Sequence, residues 1–308
     1  MKVLVTGGAG FIGSHTVDKM VARGWTVVVV DNLSSGLRSN VNNQARLLEM
    51  DILDDRLLAL LAREKFDYVV HLAAQTAVPY SISHPDVDCR VNLLGLVKVL
   101  EASRKAGVKR VVFSSSAAVY GDAPTLPIPE NTPLQPGSFY GLTKCTGEKY
   151  LTLYKEIHGL NSIVLRYANV YGERQGNGGE GGVVSIFTQK IAHNQPISIF
   201  GDGGQTRDFI YVGDVAEANC QAIIAPQPAA NAVYNISTQT QTSVNDLVEI
   251  LVASSGKQVT KSLLPARDGD IYHSMLSNRA ALANLDWQPR MPLPAGLQRT
   301  YRALNTAT

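Results

Sequence analysis

Cysteine is scarce. Cys89, Cys145 and Cys220 are the only three in 308 residues, and no two of them form a C-x-x-C pair. That spacing offers neither a disulfide framework nor a thiolate metal site, and it suits a reducing cytoplasm. The six histidines show no ligand spacing, so no catalytic metal is expected. Basic clusters are lacking too: none exceeds the Lys109-Arg110 pair, and the formal charge is only +2. Such a chain has no electrostatic footprint for nucleic acid. No apolar run approaches membrane-spanning length, and the opening residues read as a strand rather than a signal peptide. What is present is a hydrophobic fraction of 45% and a mean hydropathy of -0.01. These fit a soluble protein with a substantial core, either one large α/β domain or two unequal ones.

Near the start, an apolar run from Lys2 to Thr6 meets Gly7-Gly8-Ala9-Gly10-Phe11-Ile12-Gly13. Strand, tight glycine turn and helix are expected in that order. One glycine permits the sharp turn, one lets backbone approach a pyrophosphate, and one lets helix and strand pack closely. The helix N-terminus offers N–H groups and a positive dipole end to phosphates. A second buried-strand run, Trp25 to Val30, ends in Asp31 at close to the expected spacing. A carboxylate there accepts both ribose hydroxyls of NAD and repels the extra phosphate of NADP.

The chain then alternates. Asn32 to Gly36 is a polar turn, Ala45 to Met50 a strand ending in Asp51-Ile52, and Leu57 to Ala62 a helix. Tyr68 to Ala74 reads as a strand and Pro85 to Ala106 as a helix carrying Asn92 and stopped by Gly107. Arg110 to Phe113 is a strand that opens into Ser114-Ser115-Ser116-Ala117-Ala118-Val119-Tyr120-Gly121. A proline-rich loop, a helix over Phe139 to His158 and a strand over Ser162 to Tyr167 follow. This alternation predicts a doubly wound parallel sheet with ligands at the carboxyl ends of its strands. Beyond Tyr171 comes a glycine-rich loop, Gly172 to Gly182, then short strands and helical patterns at Val183–His193, Asp214–Ile224, Val244–Ser254 and Arg279–Leu285. The expected division is a dinucleotide-binding domain over 1–170 and a smaller interleaved lobe over 171–308, with part of 205–235 returning to the first.

Tyr140 and Lys144 stand four apart on a predicted helix and so share a face. A free phenol is a poor base at neutral pH. A nearby ammonium and a nicotinamide cation both favour phenolate, which gives a base able to take a proton from a sugar hydroxyl.

Together these residues resemble a known group. The Gly7 to Gly13 loop, Asp31, the run Ser114 to Gly121, the Tyr140/Lys144 pair and Arg166-Tyr167-Ala168-Asn169-Val170-Tyr171-Gly172 look like the extended short-chain dehydrogenase/reductase superfamily. Gly201 to Val212 and Arg267-Asp268-Gly269-Asp270 continue the likeness, which spans nearly the whole chain and is strongest toward the UDP-glucose (UDP-galactose) 4-epimerases. The resemblance implies that Ser116 and Tyr140 contact the sugar O4 and that Lys144 bridges Tyr140 and the nicotinamide ribose. It implies an NAD site along Gly7, Gly10, Phe11, Ile12, Gly13, Asp31, Asn32, Ser35, Gly36, Asp51, Ile52, Leu72, Ala73, Ala74, Gln75, Asn92, Ser114 and Tyr167. It assigns the UDP-sugar to Asn169, Val183, Ser198, Phe200, Arg207, Arg267 and Asp270, the arginine forks suiting a diphosphate.

The implied reaction has Tyr140 take the O4 proton while C4 gives hydride to NAD, which returns it to the other face of the turned 4-keto sugar. Related dehydratases and decarboxylases carry acidic or polar residues after the catalytic hydroxyl residue, where this chain has Ala117 and Ala118. Uronate-using relatives have a basic loop near Gln175, whereas here Gly176 to Gly182 is nearly all glycine. By the same resemblance Ser274 stands at the C2 side of the sugar, where glucose-restricted relatives have tyrosine. A homodimer joined by the helices Pro85–Ala106 and Phe139–His158 is also implied.

Overall fold

Val3 and Val5 contribute to one hydrophobic core and Leu4 to another, and Val27 and Val29 alternate with Val28 and Val30 in the same way. A strand whose successive side chains are buried on both faces belongs inside a parallel sheet covered by helices on each side. The computed structural model describes residues 1–176, 182–229, 231–266 and 271–305. Its first half contains β1 (Lys2–Thr6), α1 (Phe11–Ala22), β2 (Thr26–Asp31), β3 (Arg46–Glu49), α2 (Arg56–Glu64) and β4 (Tyr68–His71). It continues through α3 (Val78–Ser83), α4 (Pro85–Cys89), α5 (Gly95–Lys105), β5 (Arg110–Ser116), α6 (Phe139–His158), β6 (Ser162–Tyr167) and β7 (Asn169–Tyr171). The rest comprises α7 (Val183–Ala192), β8 (Ile197–Phe200), β9 (Thr206–Arg207), β10 (Phe209–Tyr211), α8 (Val212–Ile224), β11 (Val233–Ile236), β12 (Thr242–Ser243), α9 (Val244–Ser255), β13 (Lys261–Leu264), α10 (Arg279–Asn284) and α11 (Leu293–Asn305).

Seven parallel strands form the central sheet in the order β11-β6-β5-β4-β1-β2-β3. The direction of winding reverses between β1 and β4, which opens a crevice at their carboxyl ends. Residues of α1, α8 and α10 join the core on one face of the sheet, and residues of α2, α5 and α6 join the core on the other. A third core unites α7, α9 and α11 with β8, and the remaining short strands pair as β10-β7, β12-β9 and β13-β8.

Three differences from the expected elements bear on function. Strand β4 stops at His71 instead of running to Ala74, because Ala73 lies against Gly7: a Cβ on Gly7 would sit 2.6 Å from the Ala73 nitrogen. The long helix over Pro85 to Ala106 is broken into α4 and α5 by a π-helical turn over Arg90–Leu94 that carries Asn92. Such turns displace one residue from the helical ladder and concentrate at functional sites. Third, chain beyond the 205–235 stretch that was expected to return also packs with the first domain. Helix α8 packs on α1, β11 extends the main sheet beside β6, and Trp287 joins the first core.

Candidate active site

The glycine loop is shaped by close approaches. Gly7 has φ +73, and a Cβ on Gly13 would lie 2.0 Å from the Gly7 carbonyl oxygen. Gly10, by contrast, has only that oxygen at 3.3 Å, so its outer side is open. Helix α1 starts at Phe11 with no side-chain cap and no acid in its first turn. The N–H groups of Phe11 and Ile12 have no acceptor within the helix, as an anion-binding helix end requires. Asp31, at the end of β2, accepts the Ala9 N–H on Oδ2 at 2.9 Å and the Leu33 N–H on Oδ1 at 2.8 Å. Each oxygen keeps a lone pair for a ribose hydroxyl.

The other expected cofactor residues fall around this crevice in different ways. Asn32 donates to Asp51 at 2.8 Å, tying the ends of β2 and β3 together. Ser35 is exposed, and Gly36 is pressed against Ala9. Ile52 is buried beneath Gly95, in the core. Leu72, Ala73, Ala74 and Gln75 are half-buried along the segment after β4. The Asn92 amide clamps that segment, accepting from the Gln75 N–H at 2.8 Å and donating to the Gln75 carbonyl at 2.9 Å. Two side chains are engaged elsewhere. The Ser114 hydroxyl donates to the His71 carbonyl at 3.1 Å, and the Tyr167 hydroxyl donates to Asn219 at 2.9 Å within the core.

Ser116, Tyr140 and Lys144 meet at the carboxyl end of β5. Ser138 caps α6 by accepting the Gly141 N–H at 3.1 Å, which puts Tyr140 in the first helical turn. Gly141 explains how close that turn comes to β5: a Cβ there would lie 2.6 Å from the Ala118 carbonyl oxygen. Any side chain at 141 would push Tyr140 away from Ser116. The Ser116 hydroxyl accepts the Ala118 N–H at 3.2 Å and lies close enough to the Tyr140 phenol to act on it. Burial raises the phenol to about 12, and Ser116 pulls against that rise. Lys144 is buried, donates to the Ser114 carbonyl at 2.8 Å and lies 5.8 Å from the Tyr140 ring centre. Burial lowers its ammonium to about 8, and the charges of Asp88 and Glu148 oppose the fall. The phenol therefore needs added positive charge to ionise near neutrality, and a nicotinamide cation would supply it.

Residues that sequence reasoning missed hold this group. Glu148, one turn beyond Lys144 on α6, is buried and takes a two-pronged bond from Arg166 of β6 at 2.9 and 2.6 Å. Its Oε1 also accepts from Ser115 at 2.5 Å, so the pair braces both strands against α6. The i+4 spacing from Lys144 was the available signal. His71 is also buried, paired with Thr6 at 2.7 Å, and burial lowers it to about 3, so it is neutral.

The expected substrate residues that are described lie on β7, α7, β8 and β9 and in the segment before α10. Asn169 is exposed and pairs its N–H with the Asp208 carbonyl at 2.9 Å. Val183 opens α7, and Ser198 and Phe200 are half-buried on β8. Arg207 donates to the Thr206 carbonyl at 2.8 Å, and the Ser274 N–H bonds the Thr206 carbonyl at 3.2 Å, which brings these two distant segments together. Arg267 and Asp270 lie outside the described residues. Asp208 anchors the region: buried, it accepts from Thr238 at 2.7 Å and from the Leu276 N–H at 3.3 Å, and burial raises its carboxyl to about 6 against those donors.

Comparison with known proteins shows the family and the fold. The NAD dependent epimerase/dehydratase family matches residues 3–237. The UDP-glucose 4-epimerase of Mycolicibacterium smegmatis is 39% identical over 307 residues, covering 97% of each chain. The crystal structure of the Thermotoga maritima UDP-glucose 4-epimerase with UDP-glucose superimposes with a TM-score of 0.95 at 41% identity, covering 100% of this chain and 99% of the other. A UDP-N-acetylglucosamine 4-epimerase from Methanobrevibacter ruminantium, in complex with UDP-N-acetylmuramic acid, also gives 0.95, at 34% identity with 100% and 99% coverage. With its family pattern matched over most of its length and a Rossmann-type sheet ending in a Ser-Tyr-Lys group, the chain belongs to the NAD dependent epimerase/dehydratase family.

Proposed function

We propose that this chain is a 4-epimerase interconverting UDP-glucose and UDP-galactose, with UDP-N-acetylglucosamine and UDP-N-acetylgalactosamine as further substrates. The observation that carries the reading is the Tyr140–Ser116 contact with Lys144 one turn on, set at the carboxyl end of β5 beside an uncapped glycine-loop helix. The loop fits NAD: Gly10 is open, the first N–H groups of α1 are free of side-chain caps, and Asp31 faces the loop. Gly7 to Gly13 would hold the pyrophosphate, Asp31 the adenosine ribose, and Lys144 the nicotinamide ribose. When bound, NAD supplies a hydride acceptor that regenerates itself on the same sugar.

The chain's own residues handle the proton and the orientation. Tyr140 takes the proton from O4 and returns it after the sugar has turned, while Ser116 fixes O4 by hydrogen bonding. Lys144 keeps the phenol poised by its charge. Arg207 is the described residue suited to the diphosphate. Ala117 and Ala118, in the turn after Ser116, have no group to move a second proton, which disfavours dehydration or decarboxylation at this site. Purified protein given UDP-glucose should yield UDP-galactose, read from the anomeric proton by NMR, without added cofactor. Failure to invert C4 in any UDP-sugar would refute the assignment.

Substrate breadth rests on Ser274. An acetamido group needs volume that a well-packed pocket yields only at about 1–3 kcal/mol of strain. Serine leaves that space and offers a hydroxyl. Ser274→Tyr should cut kcat/KM for UDP-N-acetylglucosamine selectively. Equal loss for both sugars, or a wild type inactive on the acetylated one, would remove Ser274 from the account.

We further propose a homodimer. Leu142, Leu153 and Ile157 are exposed at spacings of 11 and 4 along α6, with Ile157 at 68%, and Leu94 is exposed on the neighbouring π turn. These positions make an outward apolar stripe suited to a four-helix bundle across a two-fold axis. Light scattering should give twice the 33.2 kDa chain mass at micromolar concentration. A monomer would contradict the pairing.

A further inference from the structure

One ionisable group beside the site has no part in the reaction as described. Asp88 is completely buried on α4, and all three of its side-chain partners are neutral. Gln75 Nε2 donates to its Oδ1 at 2.8 Å, Asn92 Nδ2 to the same oxygen at 3.0 Å, and Thr143 Oγ1 to Oδ2 at 2.8 Å. No salt bridge to Asp88 exists among the described residues. A carboxylate removed from water without a cation is costly, and an asparagine could join the same three groups without that cost. Hydrogen bonding alone therefore does not explain a charge here.

The surroundings show where the charge acts. Thr143 is the residue before Lys144, and its hydroxyl also lies 3.0 Å from the Tyr140 carbonyl. Of the groups facing Lys144, Glu148 opposes its fall less than Asp88 does and is paired with Arg166, and His71 on β4 is neutral. Tyr140 and the Ser114 carbonyl carry no charge in the resting site, and Tyr167 is held un-ionised by burial. Among the described residues, Asp88 is the carboxylate acting on both Tyr140 and Lys144 that is not already committed to a cation.

We propose that Asp88 is a positioning residue that serves as the fixed counter-charge of the Tyr140/Lys144 pair, keeping Lys144 an ammonium inside the cleft and tying α6 to the segment after β4 through Thr143 and Asn92. The inference rests on Tyr140 and Lys144 being the catalytic pair. A buried negative charge favours the protonated form of every neighbour. It acts in that direction on both: it opposes the fall of Lys144 and adds to the rise of Tyr140, in each case as a smaller influence than burial.

The test is Asp88→Asn in the full chain, with Asp88→Ser as the second variant should the first fail to fold. Lysine labelled with 15N at Nζ reports the Lys144 titration directly. It should lie near pH 8 in the wild type and fall by about one pH unit in the variant. With UDP-glucose, both limbs of the kcat/KM pH profile should move to lower pH together, since both groups lose the same negative neighbour. A variant whose profile drops in height with its limbs in place, or whose Lys144 titrates as in the wild type, overturns the proposal. If Lys144 shifts while neither protein inverts any UDP-sugar, the counter-charge stands and the epimerase reading falls.

Discussion

Tyr140→Phe should lose roughly two to four decades in kcat, the range for a positioned acid–base group, while still binding NAD and UDP-glucose. The ring remains, so its packing and its position 5.8 Å from the Lys144 nitrogen are kept. Only the hydroxyl that meets Ser116 is removed. Ser116 keeps its bond from the Ala118 N–H at 3.2 Å, so the turn after β5 stays in place. The loss should therefore appear in kcat, with Kd for the nucleotide sugar nearly unchanged. Turnover within threefold of wild type would show that another group takes the O4 proton.

Glu148→Ala should destabilise the fold by about 3–5 kcal/mol, because it leaves the Arg166 guanidinium buried and unpaired. Burial alone would lower Arg166; its bonds to Glu148 reverse that and raise it. The same change strips Ser115 of its partner and loosens β5 directly before Ser116. Replacing both members, as in Glu148→Leu with Arg166→Met, should recover most of the loss, since an apolar pair of similar volume carries no desolvation penalty. Chemical denaturation of the two variants decides the matter. A single variant as stable as wild type would mean that the pair contributes nothing net.

Much of the sheet and the grouping of the candidate site were legible in the sequence because both rest on local patterns. The Gly7 to Gly13 loop, Asp31 at a strand end and the Tyr140/Lys144 spacing each lie within a few residues, and periodicity placed them on strand ends and a helix. What was not legible depends on contacts across the chain. Nothing within Arg90–Leu94 distinguishes a π turn from an α turn. Its neighbour Gly95 packs on Ile52, where a Cβ would meet the Ile52 side chain at 2.5 Å, a contact between residues 43 positions apart. Asp88 reads as one more acid in a polar helix start, and only the fold surrounds it with Gln75, Asn92 and Thr143. A return of part of 205–235 to the first domain was expected, but a strand as short as the four residues of β11 does not announce that β6 is its partner. Ser274 and Arg207 were expected near one sugar, but the backbone bond that joins their segments is set by the lobe.

The proposed chemistry oxidises and restores one carbon, so the most direct measurement follows the atom on that carbon. Purified protein should be incubated with UDP-glucose deuterated at C4, in ordinary water and without added cofactor, and the product examined by NMR and mass spectrometry. The account predicts UDP-galactose that retains deuterium at C4, because the atom leaves and returns within one site. Product carrying a solvent proton at C4, or recovered sugar with its configuration unchanged, would contradict it.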